Sequence, residues 1–189
     1  MPTQLQLVNR TLSELGRLSV SAILESPDAQ QANAKLLELV PELYEVFNWS
    51  FLVKFIFDNT PLTINFSPDY QYTYQLPGDF GHFFKWQDTG SQWPIYMITD
   101  GYLLAQVKPV GYYYIVNQAA PEVYSPLFAR ALVLYAAAKL APTLTNNVQL
   151  AAYLEKEYEK VIAKAITQDD MMNPHFATPY NDFDRITFV

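Results

Sequence analysis

The residues able to do chemistry are few, and their spacing does not gather them. Cysteine is absent, so disulfides, thiolate zinc sites and a cysteine nucleophile are excluded. The only two histidines, His82 and His175, fall in different segments, whereas a metal site draws its ligands from a cluster. Each is read as a surface or packing residue. No nucleophile elbow, phosphate-cradling glycine loop or His-Glu-x-x-His helix occurs. Two carboxylates held at a fixed gap could cleave a glycosidic bond, and Asp79, Asp88 and Asp100 in the sheet loops are the candidates. Asp100 is better explained by a hairpin, and Asp79 by the turn after Pro77. Tyr112-Tyr113-Tyr114, with Trp86 and Trp93, could stack against sugars; the same rings would also fill the core of a small sheet or its subunit interfaces. Lys156, Lys160 and Lys164 form a basic row at spacing four, which suits either a solvated face among glutamates or an acidic partner. The residues therefore predict a protein that is not an enzyme and holds no cofactor or metal.

The elements that position these groups read in two languages. Leu5, Val8, Leu12 and Leu15 recur at spacings of three and four until Gly16 offers a left-handed stop. Ser26-Pro27-Asp28 starts a second helix, whose stripe is Ala32, Leu36, Val40, Leu43 and Phe47; Pro41 is expected to kink or break it. From Trp49 the period becomes two: Phe51, Val53, Phe55 and Phe57, then Tyr70, Tyr72 and Tyr74 before Leu76-Pro77. Asp100-Gly101 marks a tight hairpin. This predicts one antiparallel sheet module of five or six strands, with residues 78–94 as a long loop. Helix language returns at Ser125-Pro126. Residues 127–141 are apolar on nearly every face, which predicts a helix buried on all sides and ended by Pro142. Thr145 is the expected cap of a last helix carrying Leu150, Leu154, Tyr158, Val161 and Ala165.

The expected fold class is thus α+β: a bundle of about four helices from residues 1–48 and 118–168, with an antiparallel module inserted at 49–117. An extended arm follows at 169–189. That arm lacks helical period yet carries Phe176, Tyr180, Phe183 and Phe188, and disordered tails are normally poor in aromatics. Spaced aromatics on an extended segment suit docking on a partner. Half the residues are apolar and 16% are charged, enough for a real core. The formal charge of -7 argues against wrapping nucleic acid, which needs clustered Lys and Arg. No basic-then-apolar leader is read at the start, and the longest apolar block, Ala131 to Ala138, is far short of the ~20 residues that span a bilayer. No membrane association is expected, and synthesis in a reducing cytoplasm is.

Several landmarks recur in a known order. They begin with Asn9-x-x-Leu12-x-x-Leu15-Gly16-x-x-x-Val20-Ser21, followed by Ala32-Asn33-Ala34 and Trp49-x-Phe51. Next come Tyr72-x-Tyr74-x-Leu76-Pro77-x-Asp79-Phe80 and the Asp100-Gly101 hairpin. The order closes with Pro126-x-Phe128 and an alanine-rich helix running to Asp169. Over about residues 5–170 this order resembles the tail tubular protein A family, the head-to-tail adaptor ring beneath the portal of short-tailed bacteriophages. Family members often carry a proline ahead of the Val-Ser pair, where this chain has Leu18-Ser19. The resemblance implies a virion structural protein of the tail or neck, made in the host cytoplasm. It would form a homo-oligomeric ring of twelve copies between the portal protein and the tail nozzle, through which DNA passes without specific binding. The competing expectation from the same residues is a carbohydrate-binding or carbohydrate-cleaving tail component.

Overall fold

In the computed structural model, which describes residues 2–64, 66–87 and 95–173, the first helix, α1 (Gln4–Glu14), starts at a capping box. Thr3 Oγ1 accepts from the Gln6 amide at 3.3 Å, and Gln6 Oε1 accepts from the Thr3 amide at 3.1 Å. Gly16 ends it at φ 68°, with the Arg17 amide donating back to Leu12 O and the Gly16 amide to Ser13 O. That pair of bonds needs the left-handed residue that glycine accepts without strain. Ser26 and Ser125 cap the next two helices, α2 (Pro27–Val46) and α3 (Pro126–Leu144), each with proline at the first helical position. The last helix, α4 (Val148–Met172), is capped by Asn147, whose Oδ1 accepts from the Leu150 amide at 2.9 Å.

Two expectations about prolines and caps are corrected, and of the kink or break expected at Pro41 the break does not occur. Pro41 does not break α2, which runs through it to Val46. It sits on the exposed face, so the carbonyl its ring deprives, on Leu37, belongs to a residue that is 58% exposed and open to water. Pro142 does not end α3 either; the helix continues to Leu144. Hydroxyls close that final turn, Thr143 Oγ1 on Leu140 O at 3.0 Å and Thr145 Oγ1 on Ala141 O at 2.7 Å. Thr145 thus closes α3 rather than starting α4, and Asn146 at φ 53° turns the chain between them.

The chain divides into two compact units, one formed by the chain up to Phe51 and from Ala119 onward, the other by Leu52–Gln118. In the first, α3 packs against α1, α2 and α4. Phe128, Leu132, Val133 and six alanines of α3 are buried, and the small side chains let the neighbouring backbones approach closely. The helix is not buried on every side, as had been expected: Arg130 and Lys139 are exposed and Tyr135 is half-buried. Each bonds a different neighbour: Arg130 to Glu14 of α1 at 2.6 Å, Tyr135 to Glu42 of α2 at 3.2 Å, Lys139 to Glu155 of α4 at 3.3 Å. An aromatic cluster fills the end of the bundle. Phe128 lies 5.0 Å from Trp49, 4.9 Å from Phe51 and 4.9 Å from Tyr124, centroid to centroid. The Trp49 indole N–H donates to Leu43 O at 2.7 Å, so the buried ring leaves no orphan donor.

The fold class is α+β, and among the described residues the second unit holds six strands. They form two three-stranded antiparallel sheets rather than the single sheet expected. One has the order β1 (Val53–Asp58), β6 (Val110–Val116), β3 (Phe80–Trp86). The other has β2 (Tyr72–Gln75), β5 (Tyr102–Ala105), β4 (Tyr96–Thr99). β3 occupies part of the stretch expected to be a loop. Irregularities between Phe80 and His82 and between Phe83 and Lys85 erase its period of two, which hid it from a pattern reading. A Cβ on Gly81 would lie 2.7 Å from Ile115 O, so glycine permits the close approach of β6 there. Residues Asp169–Met172, expected to begin the arm, are the last turn of α4.

Burial assigns the stability of the first unit chiefly to the α3 core. Phe128→Ala is expected to lower the unfolding free energy by ~3–5 kcal/mol, and Arg130→Ala by less than about 1 kcal/mol because its ion pair is solvent-screened. Urea unfolding followed by circular dichroism checks both; equal effects would contradict the assignment.

Candidate functional site

The groups singled out for chemistry are tied into local structure. Among the described residues no group of three or more His, Asp or Glu could hold a metal ion. His82 lies exposed on β3; His175 and Asp88 lie outside the described residues. Asp79 follows Pro77 at the turn into β3, where the Phe80 amide donates to Pro77 O at 3.0 Å. Its carboxylate accepts from Lys54 Nζ at 2.5 Å and from the Tyr114 hydroxyl at 3.0 Å. It thereby joins the first strand of its sheet to the other two. The Lys54 hydrogen bond leads the causes holding the Asp79 carboxyl below its ordinary range. Burial, with the Asp79 hydrogen bond second, pushes the Tyr114 hydroxyl up to about 12. Asp100 and Gly101 form the β4–β5 turn with φ 48° and 80°, both left-handed, as a two-residue hairpin requires.

The tyrosine run is split by the alternation of β6. Tyr112 and Tyr114 point to the buried face, where Tyr112 and Trp86 meet edge to face at 6.0 Å and Phe83 lies 5.2 Å from Trp86. Tyr113 points the other way, 4.9 Å from Phe55, with Lys85 Nζ 5.2 Å from its ring centroid. The rings weighed as a sugar platform or as sheet core are therefore largely core, and Trp93 lies outside the described residues. The basic row of α4 is exposed, and Lys160 pairs with Glu157 at 2.5 Å.

What the structure leaves uncovered is apolar surface. In the first unit Leu18 is 90% exposed, Leu24 82% and Met171 76%, with Val148, Tyr153 and Met172 also out. Leu127, Ala163, Lys164, Met171 and Met172 contribute to an open cleft of about 520 Å³ between α3 and the end of α4. In the second unit Phe57, Ile64 and Ile95 are more than half exposed. Pattern reading missed Leu18, Leu24 and the two methionines because they fall in a loop or past the clear heptad-like stripe. The helix α3 is itself long and apolar enough to cross a membrane, at 19 residues and a mean hydropathy of 1.4, and its packing against three helices accounts for that composition.

The remaining landmarks sit at joints. The Asn9 side-chain amide donates to Val20 O and accepts from the Val20 amide, both at 2.9 Å, clamping the loop after Gly16 to α1. Pro126 opens α3. The Ser50 amide and hydroxyl donate to the Asp169 carboxylate at 2.9 and 2.7 Å, and Asn173 Nδ2 donates to Ser50 Oγ at 3.0 Å. The end of α4 is thus tied to the point where the chain leaves the bundle. The arm residues Phe176, Tyr180, Phe183 and Phe188 lie outside the described residues. No protein-family model matches the chain, and no curated protein matches it.

The Asp79 clamp sets a pH dependence for the second unit. A carboxyl depressed by folding stabilises above its unfolded pKa of about 3.9, and that stability is lost as pH falls through the lower folded value. Tyr114 acts in the opposite sense. Its stabilisation is present below the unfolded pKa of about 10 and is lost as pH rises through the folded value of about 12. Asp79→Asn is expected to flatten the acid limb and leave an alkaline limb, read by near-ultraviolet circular dichroism against pH; an unchanged acid limb would contradict the clamp.

Proposed function

We propose that this chain is a structural adaptor of a short-tailed bacteriophage. It forms a homo-oligomeric ring in the virion neck, joins the portal protein above to the tail nozzle below, and lets DNA pass without specific binding. The observation that carries the reading is the disposition of apolar surface. The bundle buries the apolar side chains of α3 from Phe128 to Ala141 yet leaves Leu18, Leu24, Val148, Met171 and Met172 more than 70% exposed. Exposed side chains this large offer apolar area for a partner to cover, and methionines adapt to irregular ones. The sequence landmarks shared with the tail tubular protein A family support the reading in a second way. Gly16, Asn9, Pro77, Asp100, Gly101 and Pro126 all sit at caps, turns and clamps, positions that set a fold rather than a reaction. The charge of -7 per chain favours free passage of DNA, because acidic walls repel phosphate where basic ones would hold it.

Mixing the purified 21.7 kDa chain with its cognate portal ring and weighing the product by mass photometry tests the proposal. The expected product is the portal plus a fixed multiple of the chain, seen as a closed ring in negative stain. A chain that ignores portal and binds glycan instead would overturn it and favour the carbohydrate reading.

A further inference from the structure

A ring built from one kind of chain needs two different surfaces on each copy that fit one another, because a self-complementary patch closes a dimer and stops. The outer faces of α2 and α4 have that relation. On α4, Lys156, Lys160 and Lys164 recur every four residues and share one exposed face with Ala163, Tyr153 and Met171. On α2, Glu38, Glu42 and Glu45 make an exposed acidic row beside Ala34, Leu37 and Pro41, with Leu37 58% exposed. Each face is thus a charged row laid along a strip of small or apolar side chains, and the two rows have opposite sign. α3 stands between the two helices. Its Tyr135 bonds Glu42 of α2 on one side and stacks on Tyr158 of α4 at 4.6 Å on the other. One copy therefore does not bring the two rows together.

Their existing bonds leave room for a partner. Glu38 is met by Lys35 at 2.6 Å and Lys160 by Glu157 at 2.5 Å, each an exposed group paired with a half-buried neighbour on its own helix, where such pairs are worth only tenths of a kcal/mol. Glu155 is turned to Lys139 at one edge of α4; Glu157 lies beside the three lysines and the exposed Glu159 flanks them, so three lysines against two glutamates leave the face net positive.

We infer that the outer face of α4 on one copy docks on the outer face of α2 of a second copy of this chain, basic row on acidic row. Like-with-like pairing is disfavoured, since it would set lysines on lysines or glutamates on glutamates. Successive copies then repeat the same contact head to tail. The inference rests on the ring reading for its closure, not for its chemistry.

The absence of native cysteine makes a direct test available. Leu37→Cys and Ala163→Cys are made in separate chains, mixed, and treated with a short bis-maleimide. The expected result is a heterodimer well in excess of either homodimer, lost in 1 M salt, where the screening length falls to roughly 3 Å. K156E/K160E/K164E in the Ala163→Cys chain is expected to abolish the product. E38K/E42K/E45K in the Leu37→Cys partner is expected to restore it. No product, equal yields of homodimers and heterodimer, or reversal without restoration would each overturn the contact. Applied to rings assembled on portal, the doubly substituted L37C/A163C chain separates the two ideas. Closed rings whose subunits do not cross-link overturn the α2–α4 contact and leave the ring. Cross-linked open filaments overturn the ring and leave the contact.

Discussion

The burial of α3 is the constraint on which the helical unit depends. A helix carrying Phe128, Leu132, Val133, Leu134 and Leu140 among alanines cannot be covered by one neighbour, because its apolar side chains leave it in nearly every direction. α1 and α2 come from the first quarter of the chain and α4 from the last, so covering α3 forces distant segments together. What permits a long excursion between them is the pairing of β1 with β6. Those strands begin and end the inserted unit, and their antiparallel register, Val53 opposite Ile115, brings its two ends side by side. Within the bundle, polar fastenings hold the segments that lead to and from the insert. Asp169 takes two hydrogen bonds from Ser50, and the Tyr44 and Tyr124 hydroxyls meet at 2.9 Å, with Tyr124 donating to Ala119 O at 3.2 Å. Burial pushes both of those tyrosines above their ordinary range.

Much of this was legible in the sequence where a local rule acts alone. Ser26-Pro27 and Ser125-Pro126 are helix starts whatever the rest of the chain does, Gly16 is a stop, and Asp100-Gly101 is a hairpin. The α+β class followed from the change of period at Trp49. The misreadings share one cause, a local signal outweighed by something the chain supplies from elsewhere. Pro142 lies in a last turn whose carbonyls threonine hydroxyls satisfy. Phe80–Trp86 reads as loop because its irregular register leaves no alternation, and it becomes a strand only because β6 runs beside it. The division into two sheets was invisible because β1 pairs with β6 across nearly the whole insert, and no spacing rule reports partners that far apart.

The same contrast holds for the candidate sites. Asp79 looked like a turn residue, and it is one; its second role, holding Lys54 and Tyr114, depends on strands that meet only in the fold. The tyrosine run admitted both a surface and a core reading, and the pleat of β6 decides ring by ring, with two of the three inside. The uncovered surface could not be read at all. Leu18, Leu24, Met171 and Met172 have ordinary hydrophobic identities, and only the three-dimensional arrangement leaves them in water. Under the assembly role proposed, this is the expected order of difficulty, since such a function lies in what folding declines to bury.

The proposed assembly therefore requires that this exposed apolar surface be covered. Hydroxyl-radical footprinting of Met171, Met172, Leu18 and Leu24, in the free chain and in the complex with portal, measures this directly. Strong oxidation of these side chains is expected in the free protein, with protection of at least one of the two groups when the ring forms and with buried Leu132 and Phe128 unreactive in both. Equal oxidation of all four side chains, free and assembled, would contradict it.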